Sequence, residues 1–263
     1  MKVLGLETST ERCSVALLHD GETHVDEILA GQRHSELLLG MIAGLLTAQG
    51  VSLRDLDGIA FGAGPGSFTG LRIACGVAQG MAFGTSKQLV GISSLLALAE
   101  SAHAENGATR VVAALDARMG ESYLAAFQRF ERRGGAEWKA VIEPCLVDAN
   151  SLPRMEGSGW CATGGGFEAH EYLARRYNTQ LGSVLSGRFP GAREIVRLAA
   201  RDFAAGQGLD PMLASPMYIR NKVAMTSIER AATKENAAER VKERERENAK
   251  GNDPAALSEA VKS

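Results

Sequence analysis

Apolar residues along this chain gather in short runs separated by polar turns, and the period of the pattern changes from run to run. KVLGLE at 2–7 reads as a buried strand, polar TSTER as a turn, and CSVALLHDGE as a returning strand closed by Asp20-Gly21, a hairpin signal. A third strand over 22–30 completes an antiparallel meander. Leu38, Met41, Ile42 and Leu45 then fall at i, i+3, i+4 and i+7, which predicts a helix capped by Ser35 and stopped at Gly50. Leu37, Leu39 and Leu46 widen its apolar surface beyond one stripe, and a helix apolar on several sides is buried on several sides. Leu56–Phe61 reads as a strand that feeds a glycine-rich turn and a second helix; a short strand (88–92) and a helix to about Ala102 follow.

The plan then starts again. Arg110–Asp116 is a buried strand, 117–120 a turn, 121–131 a returning strand and 138–147 a third. Trp160–Thr163 and a triple-glycine turn precede a helix over 168–177, and Ala192–Ala205 has clear helical spacing. Two strand-turn-strand starts, at Met1 and Arg110, predict duplicated α/β halves with mixed sheets. The boundary falls in the small, polar stretch 104–109, giving lobes 1–105 and 106–225, the last segment of the second able to pack back on the first. From Thr226 to Ser263 the chain carries eight basic and eight acidic residues and almost no large apolar ones. Glu235, Glu239, Glu243 and Glu247 form an acidic row beside basic ones, so 226–263 reads as a charged tail, helical in part or disordered.

The most unusual stretch is GAGPGSFTGLRIACGVAQGMAFG, 62–84. Ser67 or Thr69 can cap the helix, and Gly76, Gly80 and Gly84 recur every fourth position beside a second row, Ala74, Ala78 and Ala82. Each interior glycine costs a helix roughly 1 kcal/mol against alanine, so a smooth face needs a reason. A phosphate at the helix N-terminus is one; a second helix packed unusually close is the other. Gly40 and Gly44 smooth the preceding helix in the same way.

Composition narrows the chemistry. The chain has 263 residues, 45% of them hydrophobic, and a net charge of −2, so no global basic field draws nucleic acid and direct tRNA binding lacks a basic stripe. Four scattered cysteines without a CxxC point to reduced thiols, and the sequence shows neither a signal peptide nor a membrane span, so a cytoplasmic protein without membrane contact is expected. The 62–70 loop lacks the lysine of GxxxxGK[ST], and no GxGxxG sits at a strand-to-helix turn. No two of the five histidines have i, i+4 spacing, so no metal site is expected, and Ser67 lacks a GxSxG elbow. Glu7, Thr8 and Ser9 at the first bend could stand beside a phosphate, although an ordinary polar hairpin explains them as simply. Gly66 and Ser67 could present amides to an anion, and Arg118 after Asp116 could hold a ligand or pair with its neighbour.

ETSTERCSVAL, GAGPGSFTGLRIACGVAQGMA, LDARMGESYLAAF and PMYIRNKVA together resemble the bacterial TsaB, or YeaZ, family of tRNA threonylcarbamoyladenosine (t6A) biosynthesis proteins, over about Met1 to Ala224. The resemblance implies a two-lobed ASKHA fold, the class of actin, Hsp70 and sugar kinases. It also implies a paralogue of TsaD, the subunit that threonylcarbamoylates adenosine beside the anticodon of ANN-decoding tRNAs. TsaD carries an HxxxH metal motif and this chain has none, so the resemblance implies a non-catalytic scaffold. Such a scaffold pairs with TsaD, is joined by the ATPase TsaE, forms a homodimer when alone and meets tRNA only through the complex. No tightly bound cofactor is implied; ATP serves the complex through TsaE and a separate threonylcarbamoyl-AMP synthase. An older peptidase-like (M22) label has no residues behind it here. The implied interface lies on the two glycine-smoothed helices, at Leu38, Gly40, Met41, Gly44, Leu45, Ile73, Gly76, Val77, Gly80 and Phe83. Glu7, Thr8, Gly66, Ser67 and Arg118 are then vestiges of a phosphate site, with Glu7 where the family usually has Asp. The competing expectation is an ASKHA ATPase or transferase acting on its own.

Overall fold

The computed structural model describes residues 1–132 and 135–220; the expectations for 221–225 and for the 226–263 tail lie outside the described residues. Two five-stranded sheets form, and they share one plan. In the first, β1 (Val3–Glu7), β2 (Arg12–His19) and β3 (Glu22–Leu29) make an antiparallel meander, and β4 (Gly58–Gly64) and β5 (Gln88–Ser93) add in parallel on the other side of β1. The order is β3-β2-β1-β4-β5. In the second, β6 (Arg110–Arg118), β7 (Glu121–Arg132) and β8 (Gly135–Val147) make the meander, and β9 (Trp160–Thr163) and β10 (Leu181–Leu185) add in parallel. The order β8-β7-β6-β9-β10 repeats the first position by position. Central strands read as continuous apolar runs because both faces are covered: every residue of β1 and β4 is buried.

Five layers result. Helices α1 (His34–Ala48) and α2 (Phe68–Thr85) cover the outer face of the first sheet, where Leu38, Ile42 and Leu45 of α1 and Ala74, Ala78 and Ala82 of α2 meet Leu4, Leu6, Val15 and Phe61. Between the sheets lie α3 (Ser94–Asn106) and α6 (Ala192–Ala204). Alternation sorts each strand: Val111, Ala113 and Leu115 face α3, whereas Val112 and Ala114 face α5 (Glu171–Tyr177) on the far side. A short helix, α4 (Gly166–Ala169), leads into α5.

From Ala192 the chain leaves the second sheet and returns to the first. Ile195, Val196 and Ala199 of α6 pack on Val3, Ala16 and Ala60, so residues 192–218 belong physically with the first sheet. A buried Glu100 on α3 ties the central layer together, accepting from Trp138 Nε1 (2.7 Å) and Arg129 Nη1 (3.2 Å), with Arg201 of α6 at 3.5 Å.

Several sequence expectations shift. The first helix starts at His34 after Arg33, which makes no side-chain cap, so Ser35 lies inside the helix. Ser67, not Thr69, caps α2, its hydroxyl accepting from Gly70 N at 3.3 Å. The expected helix at 168–177 is broken at His170, whose backbone is extended and whose ring bonds Asp116 Oδ1 at 3.1 Å. Strand β10 and the short turns of 3₁₀ helix at Leu53–Asp55 and Pro211–Leu213 have no counterpart in the sequence reading.

Candidate functional site: the first bend and the outward face of α2

The first hairpin bend and the glycine-rich turn before α2 lock into each other. Glu7 is buried, with Oε1 accepting from Ser9 N (2.6 Å) and Oε2 from Ser94 Oγ (3.0 Å). Thr8 Oγ1 donates to Gly70 O (2.7 Å), and Ser67 N donates to Ser9 O (2.7 Å). The glycines are there for space: a Cβ at Gly62 would overlap the Glu7 carboxylate, and one at Gly70 would overlap the carbonyl oxygen of Thr8. Burial pushes the Glu7 carboxyl above its ordinary range, with the bonds from Ser9 and Ser94 opposing that shift. Ser9 Oγ is buried without a hydrogen-bond partner among the described residues.

The structure therefore brings Glu7, Thr8, Gly66 and Ser67 together, and Glu7, Thr8 and Ser67 are bonded to the surrounding backbone and to Ser94. Arg118 is elsewhere. It sits at the β6–β7 hairpin with positive φ, its side chain exposed and 3.4 Å from Asp116, the ion pair that its spacing allowed. Among the described residues no group of three or more His, Cys, Asp or Glu is placed to hold a metal ion.

The two sides of α2 differ sharply. Ala74, Ala78 and Ala82 are fully buried against the sheet. Gly76, Gly80 and Gly84 point outward, and a Cβ on any of them would meet nothing within 4 Å. Gly40 and Gly44 of α1 are equally open. Gly76 and Gly80, inside the helix, together cost it about 2 kcal/mol against alanine, a sizeable share of the 5–15 kcal/mol that holds a domain folded. Nothing packed on them within the described chain requires their small size.

Exposure divides the expected interface residues. Gly40, Gly44, Gly76, Gly80 and Phe83 are open to solvent, and Met41, Ile73 and Val77 are half-buried at the edge of the core. Leu38 and Leu45 are corrected: both are buried against the sheet, because the row they share on α1 is its core-facing row. Leu39, 58% exposed, occupies the outward side.

The last segment, for which packing back on the first lobe was expected without any named contact, forms a strap that borders this face. Residues 207–218 run back along α2: Leu209 pairs with Leu89, Gln79 Nε2 donates to Pro211 O (2.9 Å) and Ala214 O (3.0 Å), and Met217 N donates to Ala63 O (2.7 Å). At the N-terminal end Arg72 stacks 3.8 Å over Phe68, and its Nε donates to Tyr218 Oη at 3.0 Å. At the other end Phe83 (73% exposed) and Met212 (80%) stand beside Gly80 around an open hollow of about 260 Å³. Large exposed apolar residues grouped on one face mark an interaction surface.

Two duplicated five-stranded mixed sheets with helices on both sides define the actin-like ASKHA class. Within it, the model of the TsaD family, tRNA N6-adenosine threonylcarbamoyltransferase, matches residues 27–159. The chain is 40% identical over 228 residues to the tRNA threonylcarbamoyladenosine biosynthesis protein TsaB of Escherichia coli (strain K12), covering 85% of this chain and 96% of that one. It is 36% identical to the Haemophilus influenzae TsaB, covering 85% and 95%. A solved Pseudomonas aeruginosa structure, described as an uncharacterized protein with similarity to peptidase YeaZ, superposes with a TM-score of 0.76 at 36% identity, covering 83% of this chain and 99% of that one. The chain belongs to the TsaB family.

Proposed function

We propose that this chain is a non-catalytic scaffold subunit in the synthesis of threonylcarbamoyladenosine beside the anticodon of ANN-decoding tRNAs. It pairs with TsaD through the outward faces of α1 and α2, activates it, and recruits the ATPase TsaE. ATP enters through TsaE and a separate threonylcarbamoyl-AMP synthase, tRNA is met through the complex, and the work is done in the cytoplasm. The observation that carries this reading is the open row of Gly76, Gly80 and Gly84, a helix face kept smooth with nothing of its own chain upon it. The bend at Glu7 supports it, since the carboxylate and the Thr8 hydroxyl expected near a phosphate are bonded internally.

The test is reconstitution of the modified base from tRNA, threonylcarbamoyl-AMP, TsaD, TsaE and this chain, each omitted in turn. Omitting this chain is expected to reduce product to background, and Glu7→Gln is expected to retain full activity. Undiminished product without the chain, or micromolar ATP turnover by the isolated chain that Glu7→Ala abolishes, would contradict the scaffold reading.

A further inference from the structure

Helix α6 packs one face and leaves another to solvent. Ile195, Val196 and Ala199 are buried on the first sheet, whereas Arg193, Arg197 and Arg201 recur every fourth residue along the other side. Residues four apart share one helical face, about 6 Å from each other along the axis. Several arginines elsewhere are paired, Arg12 with Glu27, Arg129 with Glu100 and Arg188 with Glu105. Arg201 is anchored too: Nη1 donates to Ala136 O (3.2 Å) and Nη2 lies 3.5 Å from Glu100, which leaves its side chain 43% exposed. Arg193 is exposed and Arg197 half-buried, and neither has a hydrogen bond or ion pair among the described residues. The charge they flank is Glu194, whose carboxyl is turned to the buried side and pushed up by that burial, with both arginines opposing the shift. The row is unfavourable for the helix itself. Like charges one turn apart repel, and Arg193 stands in the first turn, where the helix dipole disfavours a cation. A polyanion lying along the row would offset both.

We propose that the Arg193–Arg197–Arg201 row is a phosphate track, on which this chain holds the sugar-phosphate backbone of the tRNA that the assembled complex modifies. The proposal rests on the reading that tRNA is met through the complex, and adds where this chain touches it. The spacing suits the ligand, because one helical turn separates neighbouring arginines by a distance close to that between successive phosphates of an RNA strand. The side chain suits it as well, since a guanidinium can donate two parallel N–H bonds to phosphate oxygens. The place is open in the complex: α6 lies on the opposite face of the first sheet from α1 and α2, so pairing through those helices leaves the row uncovered. Three cations are few beside the roughly 6–10 phosphate contacts that make charge-driven binding strong. The track therefore orients RNA that TsaD also holds, in keeping with the net charge of −2. No basic run announces the row in the sequence; apolar residues separate the arginines, and the helix aligns them.

The test uses the full-length chain with TsaD and TsaE. It reads kcat and KM for tRNA in t6A formation, and tRNA binding by fluorescence anisotropy over about 50–200 mM salt. Arg193→Gln/Arg197→Gln is compared with Arg175→Gln/Arg176→Gln, the same change of charge on exposed residues of α5, on the far side of the second sheet. Glutamine suits a helix as well as arginine does, and thermal melts check folding. The α6 pair is expected to raise KM for tRNA about tenfold at about 150 mM salt, to leave kcat unchanged, and to flatten the salt dependence of log K by about one per arginine. Arg193→Gln alone, at the exposed position, is expected to flatten it by about one. Arg193→Lys/Arg197→Lys is expected to keep the wild-type slope, and the α5 pair to change neither KM nor slope. An unchanged KM and slope in the α6 pair, or an equal change in the α5 pair, would overturn the track. So would an α6 pair that binds tRNA normally and loses TsaD or TsaE, because the row then serves a protein. Failure of the scaffold reading is separate: product then forms without this chain, whereas failure of the track alone leaves product dependent on the chain and indifferent to the α6 pair.

Discussion

Helix α2 carries two rows of small residues, and they are small for opposite reasons. On the inward side Gly70 and the alanines 74, 78 and 82 are squeezed between the sheet and the first bend. On the outward side Gly76, Gly80 and Gly84 have open space around them. Packing within the chain explains the first row and leaves the second without a cause. The two halves of the molecule make the same point at larger scale. Strand order is identical, yet the first sheet is covered by helices of 15 and 18 residues and the second by helices of 4 and 7. The longer cover exposes apolar side chains, Leu39 and Phe83, beyond what its own core takes up.

The sharpest way to break the contrast is to add bulk to each side. Gly70→Ala forces a Cβ into the Thr8 carbonyl, which must move together with the bend; a loss of about 3 kcal/mol in urea unfolding is expected. Gly76→Leu adds far more bulk and is expected to leave the chain folded, its melting temperature no lower than that of the wild type, while weakening TsaD binding by about 2 kcal/mol or more, about 30-fold, as for a central interface residue. Gly76→Ala and Gly80→Ala should each stabilise the isolated chain by about 0.5–1 kcal/mol through helix propensity, raising its melting temperature. If they destabilise it, the outward row is packed after all.

The smallest effect concerns the sealed bend. The folded-state pKa of Glu7 is raised, so between its unfolded value, about 4.3, and that raised value the folded chain holds a proton that the unfolded chain has released. Stability therefore falls as pH climbs through this window and levels off above it. Glu7→Gln keeps an acceptor for Ser9 N–H and can donate to Ser94 Oγ, so its stability should decline less between pH 5 and pH 8 than that of the wild type, as read from paired urea titrations. Equal declines would mean that the carboxylate is not the sensitive group.

Much of the fold was legible because its signals are local. Buried central strands read as apolar runs, Asp20-Gly21 marked a hairpin, and the repeated strand-turn-strand starts announced the duplicated sheets. Strand β10 was not legible: LGSVL is short and mostly exposed, with no alternation for a core to impose. That the last segment packs back on the first lobe was expected, but the anchors of the 207–218 strap were not legible because they are long-range, Gln79 to Pro211 and Ala214, and no local period reports them. Glycine spacing gave the outward row, whereas Phe68 and Arg72 take on meaning only once Tyr218 is seen beside them. Leu38 and Leu45 were placed wrongly for a related reason. A helix apolar on several sides does not say which side its own sheet covers.

The central claim is that α2 keeps its outward face smooth for a protein partner. Its most direct measurement is the affinity of the full chain for TsaD, wild type against Gly76→Leu, by titration calorimetry with thermal melts of both chains. The account predicts a loss of about 30-fold or more in affinity with the leucine variant folded and its melting temperature no lower than that of the wild type. Affinities that agree within about twofold, with the leucine variant folded, would contradict it.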